Sequence, residues 1–232
     1  IDDWRPAIWV LAVLTLLAGS ILAVVQTNVK RMLAFSSISH AGFLLVGVEA
    51  AGHVGDKDAL AAVLTYLLLY AVLVIGSFAV VTVVAGKGDS HTTLDDFRGL
   101  GKRRPAMALA LTVFLLAQAG MPATSGFIAK FGVIKAAAEV QSYSIAIIAM
   151  LAAVIAAFLY LRIMVSVWLA DSTDDTKLAI PTGAGIAITL AAMFTIVVGV
   201  YPGWLLDATR MVSNLAIIAV QAVDPATQTP AG

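Results

Sequence analysis

Cysteine is absent from this chain, and charged side chains make up only 12% of its 232 residues. Without thiolates the chain cannot hold an iron–sulfur cluster or a thiolate-bound metal, and it cannot form a disulfide. Only three histidines occur, and His40 alone is expected at membrane depth, so a bis-histidine haem is also excluded within this chain. We therefore expect no cofactor and no metal bound by this chain.

The chain also has no excess of positive or negative charge, because 14 lysines and arginines balance 14 aspartates and glutamates. No basic patch alternates with aromatic residues as it does in proteins that bind single-stranded nucleic acid. Nucleic acid is therefore excluded as a partner, and the partners expected are lipid and other membrane subunits.

Apolar residues are plentiful, at 61% of the chain, and the mean hydropathy of +0.98 is far above that of soluble domains. About twenty apolar residues span the hydrocarbon core of a bilayer, and the runs are apolar on all sides rather than alternating. The sequence predicts an all-α, polytopic transmembrane bundle of about six spans, near residues 7–27, 32–51, 59–86, 105–138, 143–170 and 183–201.

Two weaker segments follow these spans. Residues 204–222 are apolar but carry Asp207, Arg210 and Asn214, which is typical of an interfacial amphipathic helix or of a helix end. We assign residues 1–222 to the bundle with this segment, and we expect 223–232, rich in Pro, Thr and Gln, to be a flexible tail. Because the chain begins at Ile1 and enters a span almost at once, we expect it to be part of a longer protein.

The distribution of cations predicts the orientation. Lys30 and Arg31 follow the first span, and the connection from Lys87 to Pro105 holds five more cations, whereas the alternate connections are poor in them. Cytoplasmic loops carry an excess of lysine and arginine. The ends bearing these cations are therefore predicted to face the cytoplasm.

The fourth span contains a helix-breaking run. Gly120 and Pro122 lie two residues apart, and proline removes a backbone donor and clashes with the carbonyl four residues before it. The side chains of Gln118, Thr124 and Ser125 are placed to bond the freed backbone groups. The sequence thus predicts a discontinuous helix, with an ordinary proline kink as the alternative.

Lys130 follows this break and is surrounded by apolar residues. A lysine near the bilayer centre costs ~2.5–3.5 kcal/mol on insertion scales, so its presence argues for a function. Burial favours the neutral amine, which would allow Lys130 to exchange protons near neutral pH. The alternative is an ammonium that reaches water while its stem lies along the hydrocarbon.

Three further positions are candidates for proton transfer or for its support. Lys30 is either a proton-entry relay or a cation placed by the positive-inside rule. An unperturbed histidine has a pKa of ~6.5, so His40 is either a relay or a neutral core histidine bonded to serine. Tyr66 and Tyr70, four residues apart, either hold water in a polar line or are packing residues.

The run from Gln26 to Gly42, QTNVKRMLAFSSISHAG, resembles the signature region of the antiporter-like membrane subunits of respiratory complex I, the NADH:quinone oxidoreductase. The segment from Gly120 to Phe131 resembles their broken, lysine-bearing helix, and Phe97-Arg98-Gly99-Leu100 matches an element before it. The resemblance covers most of the chain and favours the bacterial subunit N type, because subunit M usually has glutamate in place of Lys130 and subunit L differs around Lys30.

The resemblance implies a subunit of about fourteen helices built from two inverted repeats, of which this chain is the C-terminal part. It implies that Lys130 ends a central hydrophilic axis near the outward half-channel and that Lys30 lies in the cytoplasmic part of that axis. NADH, FMN, iron–sulfur clusters and quinone would be held by other subunits, and quinone reduction there would drive proton translocation across the bacterial plasma membrane.

The family's glutamate on its fifth helix and its lysines on its seventh and eighth helices have no counterpart here. Subunits L and M often have histidine where this chain has Tyr66 and Tyr70, so the relay at that depth would consist of water and hydroxyls. Two other functions stay open: a subunit of a multisubunit cation/proton antiporter, and a structural spacer in which Lys130 only holds helices together.

Overall fold

A computed structural model describes residues 4–53, 57–171 and 180–223. Within these ranges the structure is helical. The α-helices are α1 (Arg5–Val24), α2 (Val29–Ala51), α3 (Lys57–Ala85), α4 (Leu100–Arg103), α5 (Pro105–Ala119), α6 (Ser125–Glu139), α7 (Tyr143–Leu169), α8 (Thr182–Val200) and α9 (Gly203–Val223). Two short 3-10 turns, Lys87–Asp89 and Asp95–Phe97, lie in the connection between α3 and α4.

Five of these helices are long and apolar enough to cross a membrane: α1, α2, α3, α7 and α8. Their exposed surfaces carry large apolar side chains, such as Leu14, Ile75 and Val154, which lipid solvates and water does not. Helices α5 and α6 have 15 residues each, about 22 Å, and each is shorter than the hydrocarbon core. The chain is a multi-pass membrane protein.

The connection between α3 and α4 is fixed to the turn between α1 and α2. The amide of Val29 donates to the carbonyl of Thr92 at 2.7 Å, and the amide of Leu94 donates to that of Thr27 at 3.0 Å. The side chain of Asn28 accepts from the amide of Arg31 and so caps the start of α2. We call this end of the bundle, which carries Lys30, Arg31 and the 86–104 connection, the basic end.

The buried apolar residues form two layers along the bundle. One layer lies towards the basic end and includes Met32, Leu73, Phe97, Phe114 and Tyr160. The other lies towards the opposite end, where α2 meets α3 and α6 meets α7, and includes Phe43, Val46, Tyr66, Val133 and Ile145. Most polar side chains buried in such an interior bond one another or the backbone.

Most predicted spans correspond to described helices, and their bounds differ by a few residues. The predicted segment 204–222 is the helix α9, which packs against α3: the hydroxyls of Thr65 and Thr209 are 2.8 Å apart, and Arg210 forms an ion pair with Asp58. Except for Val223, the predicted flexible tail 223–232 lies outside the described residues.

Candidate functional site

The segment from Gly120 to Thr124 separates α5 from α6. Gly120 adopts φ +88°, which a side chain would strain, and its amide donates to the carbonyls of Leu116 and Ala117. Thr124 donates its hydroxyl to the carbonyl of Met121 at 2.6 Å. Pro122 lies in this non-helical segment, where its missing N–H interrupts no helical bond.

Neighbouring helices contact the segment on two sides. A Cβ added to Gly126 would lie 1.7 Å from the carbonyl oxygen of Ala117, so the start of α6 contacts the backbone of α5 directly. Helix α8 approaches from another side, where a Cβ on Gly199 would lie 2.4 Å from the carbonyl oxygen of Ala123. The residues from Met121 to Ala123 are themselves exposed.

Lys130 turns back towards this segment. Its ammonium donates to the main-chain oxygen of Gln118 at 2.7 Å and to that of Ala119 at 3.4 Å. It also lies 4.9 Å from the centre of the Phe43 ring, within range of a cation–π contact. Lys130 is 6% exposed, so its head does not reach water at a membrane boundary. Among the described residues no carboxylate forms an ion pair with it.

The three polar residues near the break differ in their bonding. Only Thr124 bonds a freed backbone group through its side chain. The amide nitrogen of Gln118 and the hydroxyl of Ser125 are buried without a hydrogen-bond partner in the described structure. Gln118 contributes through its main-chain oxygen instead. Unsatisfied buried polar groups are costly, so a hydrogen-bond acceptor or a water molecule beside these two side chains would be bound favourably.

His40 is the centre of a hydrogen-bonded cluster in the same part of the bundle. Its Nδ1 is 2.7 Å from the hydroxyl of Tyr66, and its Nε2 is 3.1 Å from the hydroxyl of Tyr160. The Tyr160 hydroxyl also bonds that of Ser36, and the ring of Tyr70 stacks on the imidazole at 4.4 Å. His40 therefore bonds tyrosines, where the sequence suggested serine as its alternative partner.

A neutral imidazole donates from one nitrogen and accepts at the other. One of the two tyrosines therefore donates to His40 and the other accepts from it. Because Tyr66 belongs to one apolar layer and Tyr160 to the other, the chain Ser36, Tyr160, His40, Tyr66 connects the two layers through α2, α3 and α7.

Sequence reasoning missed Tyr160. It lies in the Ala- and Leu-rich helix α7, two residues before Arg162, and nothing near it resembles a motif. A tyrosine in the middle of an apolar span needs a partner for its hydroxyl, and this was the signal that could have identified it.

Lys30 lies apart from this cluster. Its side chain is 25% exposed and forms an ion pair with Asp89 of the α3–α4 connection. At ~1.5 Å per residue, Lys30 is about 15 Å along α2 from His40. The structure therefore places Lys30 at the basic end and Lys130, His40, Tyr66 and Tyr70 in the interior.

Three charged residues, one each on α2, α6 and α7, have defined partners. Glu49 accepts from Arg5, and Glu139 pairs with Lys135 on its own helix. Arg162 donates to the carbonyls of Val24 and Gln26 at 2.8 and 2.9 Å and thereby closes the end of α1. Within the described ranges no three His, Asp or Glu side chains come together as a metal site would require.

Known proteins resemble this chain over most of its length. A subunit named NADH-quinone oxidoreductase subunit N 1 from Solibacter usitatus is 38% identical over 217 residues, which are 92% of this chain and 44% of that protein. NADH-quinone oxidoreductase subunit N 3 from Streptomyces griseus is 42% identical over 207 residues, 88% of this chain and 37% of that protein. The chain thus spans about two fifths of the length of these relatives.

A solved structure has the same fold. A chain of respiratory complex I from Thermus thermophilus with bound aureothin matches with a TM-score of 0.71 and 26% identity, over 88% of this chain and 45% of that chain. The family described as NADH:quinone oxidoreductase/Mrp antiporter, transmembrane, matches residues 1–156. The prediction of an all-α membrane bundle of antiporter-like fold is confirmed, and the chain belongs to the NADH:quinone oxidoreductase/Mrp antiporter family, in which it corresponds to part of a bacterial subunit N.

Proposed function

We propose that the complete protein is a proton-translocating membrane subunit, of the subunit N type, in an NADH:quinone oxidoreductase. The observation that carries the proposal is the buried ammonium of Lys130, which is bonded to the two carbonyls that precede the helix break and lacks a carboxylate partner among the described residues. Such a group gains or loses its proton readily when a nearby charge changes.

In this mechanism Lys130 holds the transported proton, and α5 and α6 are the two halves of one interrupted span. The chain of Ser36, Tyr160, His40 and Tyr66 passes protons through the interior, supported by the stacked Tyr70. Hydroxyls and imidazole each donate and accept, so they relay protons without a net charge resting on them. Lys30 serves the cytoplasmic side. Gln118, Thr124 and Ser125 keep the segment with Gly120 and Pro122 polar.

The driving reaction takes place elsewhere. NADH, FMN, the iron–sulfur clusters and quinone belong to other subunits, and neighbouring antiporter-like subunits and lipid surround this one. Moving one charge against 100 mV costs ~2.3 kcal/mol. This equals a change of about fiftyfold in the proton affinity of one site. A change in charge along the polar interior is large enough to change the proton affinity of Lys130 by this amount.

Lys130→Met in the complete subunit tests the proposal. We expect assembled complex, checked by native electrophoresis, in which protons pumped per NADH oxidised fall sharply. Lys135→Met is the matched control, because Lys135 lies on the same helix but is exposed and paired with Glu139. Normal pumping with Lys130→Met would contradict the proposal, and lost assembly with normal pumping in the complex that remains would favour a structural spacer.

A second candidate is a subunit of a multisubunit cation/proton antiporter, since the matching family is described by both names. Such a subunit needs no redox partner. Sodium-dependent proton movement in vesicles without NADH dehydrogenase activity, abolished by Lys130→Met, would support this function over the first.

A further inference from the structure

Glu49 is a buried carboxylate in an unfavourable place. It lies in the last turn of α2, where the helix dipole is negative and repels an anion. Its side chain is nevertheless 4% exposed. A negative charge at the end of a helix does not stabilise that helix. The reason for the Glu49 carboxylate must therefore lie in the residues around it.

Those surroundings belong to α1, α2 and the turn between α6 and α7. Arg5 and the hydroxyl of Ser142 each donate to Oε1 of Glu49 at 3.2 Å. Arg5 also contacts Nε2 of His53. Because a guanidinium only donates, Nε2 accepts, and the proton of a neutral His53 resides on Nδ1.

Two atoms of this cluster make no hydrogen bond. Oε2 of Glu49 and Nδ1 of His53 are buried and have no hydrogen-bond partner in the described structure. One is an acceptor and the other, in the neutral ring, is a donor. Arg5 balances the charge of the ionised Glu49, and a proton on Oε2 leaves Oε1 free to keep accepting from Arg5 and Ser142.

The cluster lies on the far side of Lys130 from the basic end. Phe43, the ring beside the Lys130 ammonium, precedes Glu49 by six residues on α2, which is about 9 Å along the helix. Val46 lies between Phe43 and Glu49 on α2, Val133 lies one turn beyond Lys130 on α6, and both belong to the buried apolar layer at this end. This apolar layer separates the two proton-binding sites and limits leakage between them.

We propose that Glu49 and His53, held by Arg5 and Ser142, form the proton-release site on the outward side of this subunit. The inference rests on the proposed function. A proton leaves the Lys130 ammonium, which becomes a neutral amine, and crosses the apolar layer when water enters it. Oε2 of Glu49 receives the proton and gives it to a water molecule of the outer solution, which restores the carboxylate. His53 acts as a positioning residue, because its Nε2 accepts from Arg5 and its Nδ1–H donates to that water.

Glu49→Gln in the complete subunit tests this site, because glutamine keeps the size and one oxygen but cannot carry a proton. We expect protons released per NADH oxidised by assembled complex to fall on the order of tenfold, and Glu49→Asp to restore most of the loss. Glu139→Gln is the matched control, a half-exposed glutamate at the same end of the bundle, and should leave release unchanged. Equal release by the Glu49→Gln and Glu139→Gln complexes would overturn the inference.

A second variant keeps the test decisive if Glu49→Gln reduces assembly. His53→Gln keeps an acceptor for Arg5 near the position of Nε2 but removes the donor at Nδ1, so we expect fewer protons released per NADH oxidised. His53→Asn, which keeps a donor near the position of Nδ1, should restore most of the loss. Release by His53→Gln at the wild-type level would overturn the inference. Lys130→Met distinguishes the proposed function from the proposed release site. If Lys130→Met abolishes pumping while Glu49→Gln and His53→Gln behave as wild type, only the assignment of the release site is wrong. If Lys130→Met pumps normally, the proposed function itself is wrong.

Discussion

The ammonium of Lys130 donates a 2.7 Å hydrogen bond to the main-chain oxygen of Gln118, so one side chain joins the end of α5 to the body of α6. Its stem also passes the break, because a Cβ on Gly120 would lie 3.1 Å from Cδ of Lys130. The break exposes carbonyls that a continuous helix would have used, and the lysine bonds them. The two features therefore act as one unit.

The close approach of α5 and α6 predicts that Gly126→Ala is destabilising. The added methyl group would collide with the carbonyl of Ala117, a backbone atom that cannot rotate away. We expect the free energy of unfolding to fall by about 1–3 kcal/mol, measured from the thermal midpoint of the detergent-solubilised complex. Gly132→Ala is the control on the same helix, where the nearest atom is at an ordinary 3.6 Å. Equal midpoints for the two variants would contradict this packing.

Tyr160→Phe removes the hydroxyl between Ser36 and His40 and leaves the ring in place. We expect redox-driven proton pumping to fall on the order of tenfold in assembled complex, because the hydrogen-bonded chain is interrupted. Tyr143→Phe is the control in the same helix, since Tyr143 is 59% exposed. Pumping by Tyr160→Phe at the level of Tyr143→Phe would show that the chain carries no protons.

Arg162→Gln should lower the free energy of unfolding by about 1.5–3 kcal/mol, because a charged donor to two carbonyls at the end of α1 is lost. Arg98→Gln offers a comparison at the same end of the bundle. Arg98 is 45% exposed and pairs with Asp95, which is 73% exposed, so its loss should change stability by about 0.5 kcal/mol or less. Chemical denaturation of both variants measures the difference. A larger effect at Arg98 would contradict the assignment.

Asp96 gives the α3–α4 connection a defined pH dependence. Partial burial opposes ionisation, but the hydroxyl and amide of Thr93 and the ring of His91 bond the carboxylate and hold the pKa of Asp96 below its ordinary value. A lowered folded-state pKa adds stability that is present above about pH 4 and is lost as the pH falls through the lowered value.

Hydrogen exchange at the Thr93 amide measures this effect. Exchange corrected for its intrinsic pH dependence should rise below about pH 4 in the wild type. In Asp96→Asn the added protection should be missing at neutral pH, and little further change should occur on acidification. Protection that is equal in both proteins at neutral pH would contradict the assignment.

The sequence predicted the helices well because lipid imposes a strong rule: apolar runs of sufficient length become helices. Gly120 and Pro122 could be named from the sequence because both residues act on their own backbone, and the interrupted helix stays a prediction. The sequence did not predict the role of Tyr160 or the partners of Glu49. Those contacts join residues 44 to 124 positions apart, and only the packing of α2 against α1 and α7 brings them together.

The chain of Ser36, Tyr160, His40 and Tyr66 has one more consequence. Each group donates in one direction and accepts from the other, so the whole row has a polarity. Under the proposed function, a proton that hops along the row would leave every O–H and N–H pointing the opposite way. The next proton would have to wait until all four groups had rotated or exchanged back. Protons would then pass one at a time, and the reorientation of these dipoles would set the interval between them.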